Sequence, residues 1–268
     1  MSNRIDATFE NLRATGEKAF VAYVSAGDPD LERSLQILVA LAEAGADIIE
    51  LGVPFSDPLA DGIVNQAAAA RALAAGCDTA GVFELIRRFR ESHQVPLVLF
   101  TYLNPVYTYG YDAYHDDAAE AGADGILLLD LPPDEAAQNC EMASHAGLRQ
   151  IRLIAPTTPP ERIELLARNA EGFIYALSRT GVTGSHGGPS AQIGDQVTAI
   201  KQHTDVPVCV GFGITTPEQA SLVASVSDGI VVGSAIVKQV ELNANSPDVA
   251  DKVGAFTRPL IEATKAPS

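Results

Sequence analysis

The 268-residue sequence has few basic side chains and no long apolar run. Eighteen lysines and arginines stand against 34 aspartates and glutamates, which gives a net charge of −16. A surface this acidic repels phosphodiester backbones and anionic lipid, so nucleic acid and membranes are poor candidates as partners. No run approaches the roughly 18 apolar residues of a transmembrane helix, and the first residues resemble no signal peptide. We therefore expect a soluble, cytoplasmic protein.

Cysteine is also scarce. Cys77, Cys140 and Cys209 are widely spaced and form no CxxC pair. Such a set does not indicate a disulfide framework and is typical of a reducing compartment. Cys209 lies in an apolar run, where we expect a buried, inert thiol. Hydrophobic residues make up 47% of the chain and charged residues 19%, which is enough apolar material for a large core.

Eight apolar runs of strand length recur along the chain. They are nearly continuous rather than alternating, as is typical of parallel strands that are covered on both faces. The predicted strands are 20–24, 47–52, 96–102, 125–129, 150–154, 172–177, 207–211 and 229–233.

Each predicted strand is followed by a loop and then by a segment with helical spacing. The predicted helices are 30–44, 63–75, 112–121, 134–146, 160–169, 191–203, 217–226 and 234–265, with a further helix at 5–17 that could plug the lower end of a barrel. Eight strand–helix units in series predict one α/β domain over residues 1–268, a single (β/α)8 TIM barrel with an extra N-terminal helix. A doubly wound open sheet is the alternative, because one sequence does not show closure.

Glu50 is an anomaly, since it interrupts an otherwise apolar predicted strand close to its carboxyl end. Its side chain must face either the barrel lumen or the helix layer, and both are dry. Burying an ionised carboxylate without a partner costs several kcal/mol, so the pKa should rise toward neutrality. A carboxyl group tuned in this way suits proton transfer at pH 7. A buried Glu that is satisfied by neighbouring polar groups is the alternative.

The loop after this strand carries two more carboxylates, Asp57 and Asp61. Pro58 and Gly62, which follow them, restrict the shape of the loop, so either acid could be positioned over the barrel mouth. Asp61 could instead cap the helix predicted from residue 63. The spacing alone does not decide between these interpretations.

Three later loops are rich in glycine. Residues 178–190 read SRTGVTGSHGGPS, and their length and composition are typical of a mobile lid, although a flexible surface loop with a solvated His186 is the alternative. The loops after the seventh and eighth strands, GFGI at 211–214 and GSAIVK at 233–238, each open a helix. Their backbone N–H groups and helix dipoles predict a phosphate site, which can bind an anion even inside an acidic protein.

No lysine lies at a predicted strand end, so a Schiff-base aldolase would lack its nucleophile. The five histidines are scattered and none is paired at helical spacing, which argues against a metal aldolase. The remaining chemistry is acid–base catalysis, without metal or imine, on a small phosphorylated substrate.

The stretch ELGVPFSDPLADG at residues 50–62 resembles the signature of tryptophan synthase α subunits. The resemblance continues in order through 178–184, 211–214 and 233–238 and spans essentially the whole chain. It implies a TIM-barrel lyase that splits indole-3-glycerol phosphate into indole and glyceraldehyde 3-phosphate. It further implies no cofactor in this chain and a β-subunit partner that carries pyridoxal phosphate, in an α2β2 heterotetramer.

The resemblance also assigns roles to residues. Glu50 matches the general acid–base that protonates C3 of the indole ring and helps to remove the glycerol hydroxyl proton. Asp61 matches the carboxylate that meets the indole N–H, which favours it over the helix-capping interpretation. Thr183 matches the loop residue that orients this second carboxylate. The substrate-binding positions are Tyr23, Tyr175, Thr183, Gly184, Phe212, Gly213, Gly233 and Ser234. Tyr102, Asn104-Pro105 and Asp57-Pro58 match the mouth where the β subunit docks.

The sequence departs from the family pattern at Tyr23, where members often carry Phe against the indole. The added hydroxyl could change the polarity of the pocket. The lid after Gly184 is variable in the family. Three other functions remain possible: a free-standing indole-glycerol-phosphate lyase, an idle barrel that activates the β subunit, and, more distantly, a sugar-phosphate isomerase or epimerase.

Overall fold

The computed structural model describes residues 3–132, 136–178, 189–211 and 213–265, with the backbone alone at 137, 138, 189 and 190. The strands are β1 Ala19–Ser25, β2 Ile48–Gly52, β3 Leu97–Thr101, β4 Gly125–Leu128, β5 Arg149–Gln150, β6 Arg152–Ile154, β7 Ile174–Leu177, β8 Val208–Gly211 and β9 Gly229–Val232. The helices are α1 Arg4–Thr15, α2 Leu31–Ala44, α3 Ile63–Ala74, α4 Thr79–Arg90, α5 Leu103–Tyr109, α6 Tyr111–Ala121, α7 Ala136–Ala146, α8 Pro160–Arg168, α9 Pro189–Lys201, α10 Pro217–Ala224, α11 Ser234–Asn243 and α12 Val249–Lys265.

All strand pairs are parallel, and the sheet runs in the order β5-β4-β3-β2-β1-β9-β8-β7-β6. The two ends of this sheet are the two halves of one predicted strand, separated by Ile151. Its first half pairs with β4 and its second half with β7, so the sheet returns on itself. The predicted parallel barrel is therefore confirmed, and the open-sheet alternative is wrong.

Alternate residues of the strands fill the barrel lumen. Ile48, Val98, Phe173 and other lumen side chains form one apolar cluster, which α1 closes from below with Ile5, Phe9 and Leu12. The predicted plug is thus confirmed. Cys209 is fully buried in the same cluster, and burial raises the pKa of its thiol well above the usual value, as expected of an inert cysteine.

One of the two helices that the sequence analysis missed is α4. Its apolar residues Val82, Leu85, Ile86 and Phe89 recur at helical spacing and are buried, and Asp78 caps its first turn. α4 packs between α2 and α6 in the outer ring, whereas the predicted helix, α3, packs against α11 and β1. Two helices therefore connect β2 and β3, and α3 is the additional one.

Two further differences concern the helices. The second missed helix, α5, contains the Asn104-Pro105 segment, where the sequence analysis predicted no helix. The long helix predicted at 234–265 is two helices, α11 and α12, separated by residues 244–248, which include Pro247. A second proline, Pro259, lies inside α12. α12 packs against α10 and α2 and completes the outer ring, which leaves α11 near β1. Within the described ranges, no helix is both long and apolar enough to cross a bilayer.

A buried carboxylate ties the start of the chain to the lower end of the barrel. Asp124 accepts hydrogen bonds from the guanidinium groups of Arg4 at 2.7 Å and Arg90 at 2.8 Å, and from the backbone N–H of Leu97 at 2.9 Å. The side chains of Arg90 and Asp124 are 10% and 3% exposed. Burial lowers the pKa of Arg90 to about 10, although the charge of Asp124 opposes this shift.

Replacing Asp124 with Ala should destabilise the protein by about 3 kcal/mol or more, because it leaves the buried Arg90 charge without its partner. Arg4→Ala is the matched comparison. Its side chain is 38% exposed, so its loss should cost no more than about 1 kcal/mol. Urea unfolding of both variants measures the difference. Equal free energies of unfolding would contradict the importance of the buried pair.

Candidate active site

A cavity of about 750 Å³ opens at the carboxyl ends of the barrel strands. Aromatic side chains of β1, β3 and β7 line one part of it, and the loops after β8 and β9 line another. The first residues of α3 complete the wall. In TIM barrels this face carries the active site, so the cavity is where the predicted site residues should meet.

Glu50 points into the barrel lumen. It lies on the same face of β2 as Ile48, a member of the lumen cluster, because side chains two residues apart share a face. In the register between β1 and β2 it stands opposite Tyr23, which lines the cavity. The lumen orientation settles the choice that the sequence left open between lumen and helix layer.

The carboxyl group of Glu50 is fully buried, and no described residue donates a hydrogen bond to either of its oxygens. Burial raises the pKa of Glu50 from 4.5 to about 8. The shift has the predicted direction and cause, since a carboxylate without donors is poorly stabilised in an apolar surrounding. Glu50 therefore holds a proton at neutral pH.

Asp61 lies on the loop between β2 and α3 and does not cap the helix, because the N-cap is Gly62. Its Oδ2 instead accepts a 2.9 Å hydrogen bond from the hydroxyl of Tyr102. Burial raises the pKa of Asp61, while hydrogen bonds from Tyr102 and Asn65 act to lower it. Asp57, by contrast, is exposed and accepts a hydrogen bond from Ser56. Of the two acids of this loop, Asp61 is thus held in a partly buried position by other side chains, whereas Asp57 lies in solvent.

Two tyrosines fit into spaces left by glycines beside the acids. The hydroxyl of Tyr23 lies over Gly52, where an added Cβ would come within 2.5 Å of it. The ring of Tyr175 lies over Gly211 and would collide with a side chain there. Glu50 and Asp61 both raise the pKa of each phenol through their charge, although burial is the largest cause. Glu50 and Asp61 therefore both lie close to the part of the cavity that the two tyrosine rings line.

The two helices behind the late glycine loops differ at their N-termini. In α10, Thr216 and Gln219 form a capping box, and Gln219 also accepts from the N–H and hydroxyl of Thr215. The first turn of α11 has no side-chain cap, and Gly233 and Ser234 at this end line the cavity. Of the two, α11 presents the more open N-terminal dipole for an anion.

The structure brings together seven of the ten predicted site residues or places them beside this cavity: Tyr23, Glu50, Asp61, Tyr175, Gly213, Gly233 and Ser234. Thr183, Gly184 and Phe212 lie outside the described residues, as does His186 with most of the predicted lid.

Three residues of this site were missed or misjudged from the sequence. Phe100 lines the cavity and packs edge-on against Tyr23, with ring centroids 4.9 Å apart. Asn65 faces Asp61 from the first turn of α3, and its spacing of four residues was an available signal. Tyr102 was expected at a docking surface, yet its side chain is 5% exposed and holds Asp61. No local pattern indicates a contact between residues 41 positions apart.

A metal centre finds no support in the described ranges, which contain no cluster of three His, Cys, Asp or Glu side chains suited to holding a cation. Among the described residues, the cavity lining includes phenols, amides and a helix N-terminus, and the carboxyl groups of Glu50 and Asp61 act on its two tyrosines. This arrangement can bind an anionic group at one end and transfer protons at the other.

The sequence and the fold are both similar to those of tryptophan synthase alpha chains. A family model described as tryptophan synthase alpha chain matches residues 9–265. The tryptophan synthase alpha chain of Opitutus terrae is 47% identical over 264 residues, and that of Desulfosudis oleivorans 46% over 263, each match covering 98% of this chain and 99% of the relative. The crystal structure of tryptophan synthase subunit alpha from Legionella pneumophila superposes with a TM-score of 0.90 at 38% identity, covering 98% of this chain and 99% of that one. The chain therefore belongs to the tryptophan synthase alpha chain family.

Proposed function

We propose that this protein cleaves indole-3-glycerol phosphate into indole and glyceraldehyde 3-phosphate, with Glu50 as acid and base and Asp61 as the second carboxylate. The observation that carries the proposal is the burial of Glu50 without a hydrogen-bond donor among the described residues, opposite the cavity-lining Tyr23, on which Asp61 also acts. This burial raises the pKa of Glu50 to about 8, which favours the protonated acid at neutral pH. The family is that of the α chain of tryptophan synthase, a lyase. The cavity offers a helix N-terminus for the phosphate of the substrate and aromatic rings for its indole. Gly213, Gly233 and Ser234 would bind the phosphate, while Tyr23 and Tyr175 would contact the indole end.

The reaction needs two proton transfers, and Glu50 can make both. The protonated carboxyl donates its proton to C3 of the indole ring, which leaves a positive charge shared with the ring nitrogen. Asp61, held by Tyr102 and Asn65, stabilises that charge at the N–H. The Glu50 carboxylate then takes the proton from the glycerol hydroxyl. The electrons of the O–H bond form the aldehyde, the bond between C3 and the glycerol carbon breaks, and its electrons return to the indole.

The same family membership supports a β-subunit partner, which would use the released indole and hold the pyridoxal phosphate, so that this chain needs no cofactor. Exposed apolar side chains lie near the mouth, with Leu59 at 91%, Ile63 at 85% and Tyr107 at 74%. They adjoin the Asp57-Pro58 and Asn104-Pro105 segments and provide a surface for such a partner. We propose an α2β2 assembly of single-domain α chains in the cytoplasm. Thr183, Gly184 and Phe212 would complete the site from outside the described residues.

Replacing Asp61 with Asn should lower the rate of indole formation by about 10²-fold or more, because the neutral amide cannot balance the charge on the indole nitrogen. The measurement is indole release from indole-3-glycerol phosphate, with and without a β subunit. Asp116→Asn, an exposed acid on α6, is the matched control and should retain the wild-type rate. A wild-type protein that forms no indole even with a β partner would overturn the proposed function. High turnover without a partner would instead indicate a free-standing lyase.

A further inference from the structure

Tyr23 spans the cavity between its two chemical ends. An ideal Cβ on Gly233 would lie 3.4 Å from the Cβ of Tyr23, so the base of this side chain adjoins the loop proposed to bind phosphate. At the other end of the side chain, the hydroxyl lies over Gly52, which follows Glu50 by two residues and shares the lumen face of β2 with it. The phenol ring therefore runs alongside the path that a phosphorylated side chain takes from the phosphate loop to the acids.

Within the part of the chain that the structure describes, the hydroxyl of Tyr23 is available to a ligand. It makes no hydrogen bond to a described residue, whereas the hydroxyl of Tyr102 both donates to Asp61 and accepts from the N–H of Ala60 at 3.1 Å. Asp61 and Glu50 exert the two largest charge effects on the Tyr23 phenol, which places its hydroxyl within the field of both acids. A polar atom in this position needs a partner, because the side chain is only 6% exposed.

We propose that the Tyr23 hydroxyl donates a hydrogen bond to the substrate oxygen that becomes the aldehyde, which is the hydroxyl on the carbon bonded to the indole ring. The inference rests on the proposed function. When Glu50 takes the proton from this oxygen, the oxygen becomes more negative, and a donor already aimed at it stabilises that change. No proton moves from Tyr23. A phenylalanine, which the family resemblance leads one to expect here, would provide the ring without this contact.

The test compares two ligands on a background that does not turn the substrate over. In Glu50→Gln protein, titration calorimetry measures the affinity for indole-3-glycerol phosphate and for 3-(indol-3-yl)propyl phosphate, which lacks both glycerol hydroxyls. Adding Tyr23→Phe should weaken binding of the first ligand about 10-fold, as expected for loss of one hydrogen bond. The affinity for the second should change less than about 2-fold, because the ring and the phosphate loop are retained.

Other results distinguish a failure of the role proposed for Tyr23 from a failure of the proposed function. Equal losses for both ligands would show that Tyr23→Phe merely disturbs the packing of the ring, and unchanged affinities would show that the hydroxyl makes no contact; either result overturns this inference. In otherwise wild-type protein, Tyr23→Phe should lower kcat/KM for indole-3-glycerol phosphate by at least the same factor. If the wild type cleaves the substrate but the Tyr23→Phe variants do not show the expected losses, only the role of Tyr23 fails. If the wild type does neither, the proposed function fails as well.

Discussion

Glu50→Gln protein should form indole from indole-3-glycerol phosphate between about 10²- and 10⁴-fold more slowly than the wild type, the range that general acid–base catalysis typically contributes. The amide has nearly the same shape as the carboxyl group but can neither give a proton to C3 nor accept one from the glycerol hydroxyl. Because we propose both transfers for this one residue, the loss should lie toward the upper end of the range. KM should change little, since Glu50 is fully buried beneath the cavity.

The measurement is indole release at pH 7 in the presence of a β subunit, so that partner activation is the same for all variants. Glu10→Gln makes the same chemical change at an exposed position of α1 and should retain the wild-type rate. A Glu50→Gln enzyme within a few-fold of the wild type would rule out Glu50 as the proton donor, whatever the activity of the wild type.

The same substitution should make the protein more stable at alkaline pH. The folded protein keeps the Glu50 proton up to about pH 8, whereas the unfolded chain releases it near 4.5. Between these values the folded state binds more protons, so the contribution of Glu50 to the free energy of unfolding falls as pH rises and levels off above about 8. A shift of this size corresponds to roughly 5 kcal/mol at about 1.4 kcal/mol per pKa unit. Gln does not titrate, so the variant should escape this loss.

Urea unfolding of wild type and Glu50→Gln between pH 4.5 and 9 measures the effect as a difference between two curves. The neighbouring groups do not obscure it. Burial raises the pKa of Tyr23, Tyr175 and Cys209 above their usual values, so none of them titrates in this window, and Asp61 is present in both proteins. A difference that stays constant with pH would show that Glu50 is ionised in the folded state and would contradict the protonated acid on which the mechanism depends.

Much of the fold could be predicted because it depends on local patterns. The continuous apolar runs, the helical spacing between them and the extra N-terminal helix all follow from the periodicity of the chain. The missed α4 had that periodicity too, at Val82, Leu85, Ile86 and Phe89, but Gly81 in its first turn weakened the pattern. The last predicted helix holds two prolines, Pro247 and Pro259, and only the first lies at a break, so the sequence did not show where the helix divides.

The site was predictable to the extent that it rests on single anomalous residues. A carboxylate in an apolar strand and glycine loops that open helices indicated Glu50, Gly213, Gly233 and Ser234 as candidates, and the family resemblance favoured a role for Asp61 over helix capping. The sequence could not show which of two late helices leaves its N-terminus open. That difference depends on Gln219, which satisfies the N-terminal groups of α10, while α11 has no such cap.

The sequence by itself determined the series of alternating strands and helices, the buried acid and the family, because these depend on local composition and on motifs that are contiguous in the chain. Only the tertiary structure decided that the sheet closes at residues 149–154, that Glu50 faces the lumen, and that Tyr102 holds Asp61. It also placed the Tyr23 phenol over Gly52, within the field of both acids. These relations join residues that are distant in sequence, and they follow from strand register and barrel closure, which no local pattern encodes.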